Sequence, residues 1–458
     1  MSLDLNTENS QRTDGASARN CDVLILGAGA AGLASAEKLA QKGLNVLILE
    51  ARNRTGGRIF TMRDPSSSLP IELGAEFIHG SPKETFAVVG AAGLSVYDIL
   101  DSHQYYDGKH WTEEEFWDEV NDVFDKLEPD REEDRSFDEF LNDHKNQFSP
   151  KALELAKAFA EGFHAARSED LSEKGLAISE QASENVDISQ TFRIFDGYDA
   201  VITRFIRSLP HPEDTILLNR TAKLVQYDRG GVRVNARNEL TGGTEAFHAQ
   251  RLIITLPIGV LKAPATAHAS LRIHPEPEEY RTALQSLEMG VAIRIVFRFR
   301  EAFWETLSDE PIGYLHLGPE ADFPTWWTAL PVRTPQITAW VGGTGAEKMK
   351  TLSKEERIQK ALSQLAKMTH RDPKWVESQL LTVYHHDWHN DPFSLGSYSY
   401  VLKGGADTAR FFERSIENRI YFAGEATMMT AERGTVDGAI TSGHRAAGEV
   451  LKNFDSYR

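Results

Sequence analysis

Residues 22–58, DVLILGAGAAGLASAEKLAQKGLNVLILEARNRTGGR, constrain this chain more than any other stretch. Asp22 to Leu26 is a short apolar run with the length of a buried parallel strand. Gly27, Gly29 and Gly32 follow in the spacing G-x-G-x-x-G, with Ala31 inside it. An Ala-rich helix is predicted to about Gln41, closed by Gly43, and a second apolar run, Asn45 to Leu49, ends on Glu50. This is a strand–turn–helix–strand unit, so the glycines stand where a dinucleotide fingerprint requires them. Gly27 permits the tight turn, Gly29 keeps side chains away from a pyrophosphate, and Gly32 lets helix and strand pack closely. The helix N-terminus, at Ala31, offers unpaired N–H groups and a positive dipole end to phosphates. Glu50 is placed to accept from ribose hydroxyls, and its charge would repel a 2′-phosphate, which argues against an NADP-type ligand.

The fingerprint alone does not separate NAD from FAD. The next segment, Ala51 to Arg58 (ARNRTGGR), adds to it: Arg52 and Arg58 can bring charge to a pyrophosphate, and Gly56–Gly57 can bring backbone close to it.

With these residues in view, the chain resembles the FAD-dependent amine oxidases, a family that includes monoamine oxidases, polyamine oxidases and histone demethylases of the same fold. E-A-R-x-R-x-G-G-R is that family's N-terminal hallmark. A second lies in NRIYFAGEATMMTAERGTVDGAITSGHRAAGEVL, 418–451, so the resemblance spans nearly the whole chain. It implies an α/β fold: a Rossmann-like FAD-binding domain (20–80, 196–265 and 403–452) with an inserted α+β substrate domain (81–195 and 266–402). Residues 1–19 are polar and read as a disordered leader.

The resemblance also implies site residues. In PIELGAEFIHG, 70–80, Gly74 and Ala75 would contact FAD through backbone, with Glu76 and Phe77 beside them. His79 would face the substrate, although a structural histidine at a strand end is the plainer reading of the residue itself. Amino-acid oxidases of this fold place a carboxylate-binding arginine where Phe77 stands, which counts against an α-amino acid substrate. Ala222 matches an adenine contact. Glu425 would hydrogen-bond the ribityl or phosphate region, and the backbone at Thr435 and Val436 would meet the flavin's pyrimidine carbonyl, where a helix dipole favours reduced flavin. Tyr398 matches one wall of the family's aromatic cage. Thr435 stands where monoamine oxidases carry the opposite tyrosine, so a more open pocket is expected. Trp388 resembles an aromatic close to the ring, with a core role as the alternative.

Two departures matter. Monoamine oxidases attach their flavin through a cysteine at the position of Ser397, so non-covalent FAD is expected. The family's lysine, water-bridged to flavin N5 and linked to oxygen reactivity, is replaced by Arg294, which stays charged and cannot shuttle a proton. The expected activity is oxidation of an amine, with di- and polyamines among the candidates, by hydride transfer to flavin N5. The product is an imine and then a carbonyl, with O2 reduced to H2O2. The rivals are a flavin dehydrogenase or desaturase acting on a non-amine, and an FAD-bound protein whose oxidase activity Arg294 has weakened.

The chain's 458 residues favour two domains. Its net charge of −18 disfavours nucleic acid and anionic membrane as partners. One cysteine, Cys21, excludes an internal disulfide and suits a reducing cytoplasm. No stretch reaches the length of a membrane span, and no metal site is expected.

Along the rest of the chain, Val120, Val123, Phe124 and Leu127 (with Phe116) keep a helical stripe. Ser149–Pro150 opens a further helix, and acidic residues 128–144 read as solvated surface. His164, Phe159 and Phe163 read as core; Trp326, Trp327 and Trp340 read as core packing, with the lining of a pocket as the alternative. TILLNRTAKLVQYDRGGVRVNA reads as a hairpin, Arg294 to Trp304 as an alternating strand, and Ser353 with Glu356 as a capping box.

Overall fold

The computed structural model describes residues 19–106, 108–112, 117–183, 190–430 and 433–455. The expected leader therefore falls outside the described residues, apart from Arg19, and so does Phe116.

Two large sheets organise the molecule. In the first, strands Val46–Leu49 and Thr244–Ile254 flank Arg19–Leu26, both parallel to it. Ile216–Leu217 and Ile420–Phe422 extend the parallel part. The hairpin forms as its Gly-Gly turn predicts: Arg220–Asp228 pairs antiparallel with Gly231–Asn238, which pairs with Thr244–Ile254. Strand Arg272–His274 carries this sheet past residue 265. Val23, Leu24, Ile25 and Leu26 have at most 1% of their surface exposed, as a strand covered on both faces requires.

Helix Ala30–Ala40 and the long C-terminal helix Val436–Asp455 lie together against this sheet. Small residues let them touch. A β-carbon at Gly443 would stand 2.4 Å from Ala31 O, and Ser35 Oγ donates to both Ala31 O (2.8 Å) and Gly443 O (3.0 Å).

Among the described residues the second sheet has seven strands, with Ala292–Phe299 paired between Leu380–His385 and Gln336–Gly342. Its apolar and polar residues alternate in sequence, yet all eight are buried. The polar positions do not face water: Arg298 pairs with Asp64 at 2.6 Å and Arg294 pairs with Glu76.

Helix Pro150–His164 begins on Ser149, whose side chain accepts from Ala152 N at 3.0 Å, and the Ser353–Glu356 capping box forms. The acidic run 128–144 is not all surface. Helix Phe137–Asp143 turns Phe137, Phe140 and Leu141 into a core that also holds Val123 and Ala160. The charges lie on its other face, so a one-sided helix had been masked by its composition. Among the described residues, no helix is long and apolar enough to cross a membrane.

Candidate active site

One continuous cavity of about 1290 Å³ runs from the glycine turn to the helices at 150–183. At its first end, Gly27 leaves the first strand at φ +104°, where a β-carbon would strike Thr255 Oγ1 at 2.7 Å. A β-carbon at Gly32 would stand 2.0 Å from Gly27 O, so helix and strand approach as closely as backbone allows. Gly29 differs: a β-carbon there meets nothing nearer than Gly56 O at 4.0 Å and would occupy the groove itself. Gly57 faces it from the next segment. No side chain caps the helix at Gly29, so its first N–H groups remain to be satisfied.

Glu50 is buried beside this turn. Its Oε2 accepts from Ala28 N and its Oε1 from Arg52 N, both at 2.8 Å. Burial pushes its pKa up. Each oxygen keeps a further acceptor direction for a sugar hydroxyl. Ala51 and Ala222 also line this end. Arg52 lines it too, but its guanidinium turns to Asp391 (2.6 Å) and Ser394 Oγ (3.0 Å) and so pins the 391–394 loop.

In the middle, Arg58 Nη1 donates to Glu425 Oε1 at 2.7 Å and to Ser397 O at 3.0 Å. Ser399 Oγ donates to the other Glu425 oxygen at 2.7 Å. Burial alone would raise the Glu425 pKa, but Arg58 and Ser399 outweigh it and hold the group below the usual carboxylate range. Arg433, which the sequence reading missed, lines the wall nearby and donates to Ala426 O at 2.9 Å.

The far end is aromatic. Gly74 passes under Trp388, where a β-carbon would come within 3.2 Å of the indole, and Trp388 Nε1 donates to Leu73 O at 2.7 Å. Tyr398 Oη donates to Phe163 O at 2.7 Å, burial pushes its phenol up, and Gly434 packs on its ring. Thr435 Oγ1 accepts from Gly438 N at 3.0 Å, capping the helix that Val436 opens. A small side chain therefore closes that wall.

Arg294 is held from three sides. Its Nη1 donates to Gly74 O at 3.0 Å, its Nη2 to Glu76 Oε2, and its guanidinium lies 5.4 Å from the Trp327 ring centre. Glu76 is shared: Arg193 Nε donates to its Oε1 at 2.8 Å and Trp327 Nε1 to its Oε2 at 3.0 Å. Burial would raise the Glu76 pKa, but the two arginines win and keep it ionised. Arg294 Nε is buried and has no hydrogen-bond partner. Phe77 packs edge-on to Trp327 at 5.5 Å and carries Arg193 over its ring at 4.9 Å. Ala75 joins this wall, and His79, on strand Ile78–His79, lies 5.7 Å from Phe163 between ring centres. The apolar surroundings pull His79 down to about 4.

The fold thus gathers the expected site residues around one cavity, except Gly32, which lies behind it where helix and strand pack. It also corrects the reading of several aromatics. Trp326 is core, but Trp327, Trp340, Phe159, Phe163 and His164 face the cavity. Phe163 is 49% exposed there, which core packing would not leave. Arg193 was missed as well; an arginine inside the short run Thr191–Ile194 was its one signal.

The open floor at Gly29, the uncapped helix start and the paired acceptors of Glu50 fit the nucleotide of a flavin dinucleotide. The unmatched Arg294 Nε donor fits an acceptor at the aromatic end. The comparisons agree. The family described as flavin containing amine oxidoreductase matches residues 30–451, and the chain belongs to that family. Its cofactor is accordingly FAD. Polyamine oxidase 4 of Oryza sativa subsp. japonica is 28% identical over 94% of this chain and 89% of that protein. Lysine-specific histone demethylase 1 homolog 1 of the same plant is 30% identical over 94% of this chain, but over 52% of its own length. Among solved structures, wild-type putrescine oxidase bound to putrescine superposes with a TM-score of 0.78 at 20% identity, covering 94% of this chain and 99% of that one. Cyclohexylamine oxidase from Brevibacterium oxydans IH-35A gives 0.79 at 18%, covering 95% and 99%. The structural likenesses establish a shared amine oxidase fold.

Proposed function

We propose that this oxidoreductase takes a small amine, with di- and polyamines foremost, to an imine that water converts to a carbonyl compound. The observation that carries the reading is the junction of a dinucleotide groove with a chamber walled by Tyr398, Trp388, Trp327 and His79. Held in that groove by the Gly29 floor, Glu50 and the open helix start, FAD would supply the two-electron oxidation.

The protein's part is to hold the amine and keep water out. Tyr398, fixed through Phe163 O, and Trp388, fixed through Leu73 O, are rigid walls. Thr435 leaves the opposite side open to a chain rather than a compact ring. His79 stays uncharged near neutral pH, so its ring offers hydrogen bonds to the amine without repelling its cationic form. Glu425 and Arg58 tie the C-terminal and N-terminal halves of the groove together. Atoms balance with dioxygen as final acceptor: amine, O2 and water give carbonyl, released amine or ammonia, and H2O2.

Arg294 favours a second reading, in which oxygen is a poor acceptor and another oxidant is preferred. Locked to Glu76 and Gly74 O, it donates but does not exchange a proton. Non-covalent flavin accords with Ser397, whose Oγ accepts from Ala292 N at 3.0 Å, and with Cys21 lying in the first strand. One cysteine accords with a cytoplasmic setting. The test is peroxide release during turnover of spermidine, putrescine and simple monoamines in air. Peroxide equal to carbonyl product supports the oxidase; flavin reduction with slow reoxidation supports the second reading.

A further inference from the structure

Oxidation of an ammonium substrate sheds a proton, and the reactive end has no group to take it. An alkylammonium ion that leaves as an iminium ion gives up one hydride, to the bound oxidant, and one proton. Arg294 stays charged and is locked to Glu76 and Gly74 O. Against its burial, Arg294 and Arg193 hold Glu76 ionised. The Tyr398 hydroxyl is committed to Phe163 O, and burial pulls His79 down to about 4. None of these groups both accepts a proton near neutral pH and passes it on.

The same cavity has an arm that reaches water, floored by the second sheet. Cross-strand register sets two rows of side chains on that floor. Arg294 stands opposite Trp340, Trp340 opposite Thr325, and Thr325 opposite His316. In the second row Trp327 stands opposite Tyr314, with His103 beside it on the next strand. Neighbouring strands lie about 4.8 Å apart, so three spacings carry the first row about 14 Å from Arg294 to His316.

At the end of this arm the hydrogen bonds are continuous. His316 Nε2 meets His103 Nδ1 at 2.8 Å, and His103 Nε2 meets Asp101 Oδ1 at 2.7 Å. The two imidazoles are within 8° of parallel with centres 5.0 Å apart, so nitrogens at 2.8 Å mean rings set edge to edge. Tyr314 packs against His103 at 4.7 Å and Tyr105 against His316 at 4.9 Å, which fixes both rings. Behind Tyr314 lie the opposite charges of Arg193 and Glu76. The His103 side chain is 18% exposed and that of Asp101 77%, so the row runs from the cavity wall to solvent.

The carboxylate sets the direction. Ionised, it only accepts, so His103 donates through Nε2. A neutral His103 then offers its Nδ1 lone pair to His316 Nε2–H, which leaves His316 Nδ1 as the acceptor at the inner end. Burial, with the charge of His103 adding to it, pulls His316 down to about 3, so this ring hands a proton on and does not store it.

We propose that His316, His103 and Asp101 form a proton relay, which takes up the substrate's proton at His316 Nδ1 and releases one to water from Asp101. Each hop forms one bond to hydrogen and breaks the next, so charge crosses without any side chain moving. The Thr325 hydroxyl, the cross-strand neighbour of His316, can accept and donate and so extends the relay inward. Reduction of O2 to H2O2 takes a proton back, and its return along the row restores the starting tautomers. The relay rests on the amine-oxidation reading and adds the route by which that site exchanges protons.

The test follows anaerobic flavin bleaching in weak buffer at neutral pH, using the fastest of spermidine, putrescine and n-butylamine. His103→Phe keeps a ring against Tyr314 and should bleach about tenfold or more slowly than wild type. Added imidazole should restore that rate and leave the wild type unchanged, which loss of packing alone would not produce. Asp101→Asn should slow bleaching less, because water reaches that end. Flavin content, measured by absorbance, verifies that each variant is folded. Independently of turnover, nitrogen-15 histidine spectra of the resting holoenzyme should show both neutral rings with hydrogen on Nε2, assigned by signal loss in His103→Phe and His316→Phe. A His103→Phe rate equal to wild type, slowing that imidazole does not restore, or hydrogen on His316 Nδ1 overturns the relay and leaves amine oxidation standing. A wild-type flavin that none of the amines reduces overturns both.

Discussion

Glu76 decides how buried charge is arranged at the aromatic end. It joins Arg294, Arg193 and Trp327, and it leaves one net positive charge beside Gly74. Replacing it by glutamine strands two buried guanidinium groups. Breaking such a network costs about 3–5 kcal/mol. Glu76→Gln should therefore shift the denaturant midpoint of the holoprotein sharply down. Arg294→Lys restores a group that exchanges protons, and stopped-flow mixing of the reduced variant with air-saturated buffer should show faster reoxidation; an equal rate would deny Arg294 that role. His79 and His164 have pKa values near 4, below the ordinary 6.5, so folding disfavours their protonation. The stability they permit is complete above 6.5 and is lost as pH falls towards 4. Phenylalanine at both positions should flatten the fall in denaturant midpoint between pH 7 and pH 5. Arg294 was legible in the sequence because it breaks a family pattern. Arg193 and Trp327 were not, since their roles arise only when separate strands bring them to Glu76.

At the scale of elements, local spacing carried what could be read. The glycine turn, Glu50 and the hairpin at 229–230 formed where expected, because each is specified by residues a few positions apart. Two long-range features were not legible. Helix Pro150–His164 has one apolar stripe, and nothing in its period tells whether Phe159 and Phe163 meet another helix or an open chamber. Strand Ala292–Phe299 alternates as if half exposed, because its arginines find Asp64 and Glu76 from distant segments. Gly32→Ala tests the turn directly. Its methyl would stand 2.0 Å from Gly27 O, so the helix must move off the strand. The purified variant should carry far less flavin than wild type, read as the ratio of absorbance at 450 and 280 nm.

At the scale of the molecule, a chain of 458 residues brings two sheets around one cavity, and Glu425 on the C-terminal side closes against Arg58 on the N-terminal side. Family membership and the amine oxidase fold were readable from the two hallmarks that form this clasp. The substrate was not, because the far end of the cavity is walled by helices that the hallmarks do not include. With Ser397 in place of a cysteine, acid denaturation should release all the yellow colour into the supernatant; colour remaining with the pellet would show a covalent link. On this reading one cavity holds FAD and an amine together. The most direct measurement is anaerobic mixing of the yellow protein with a panel of mono-, di- and polyamines while following flavin absorbance. Bleaching by at least one amine is predicted. A protein that cannot be loaded with FAD, or a loaded one that no amine bleaches, would contradict the account.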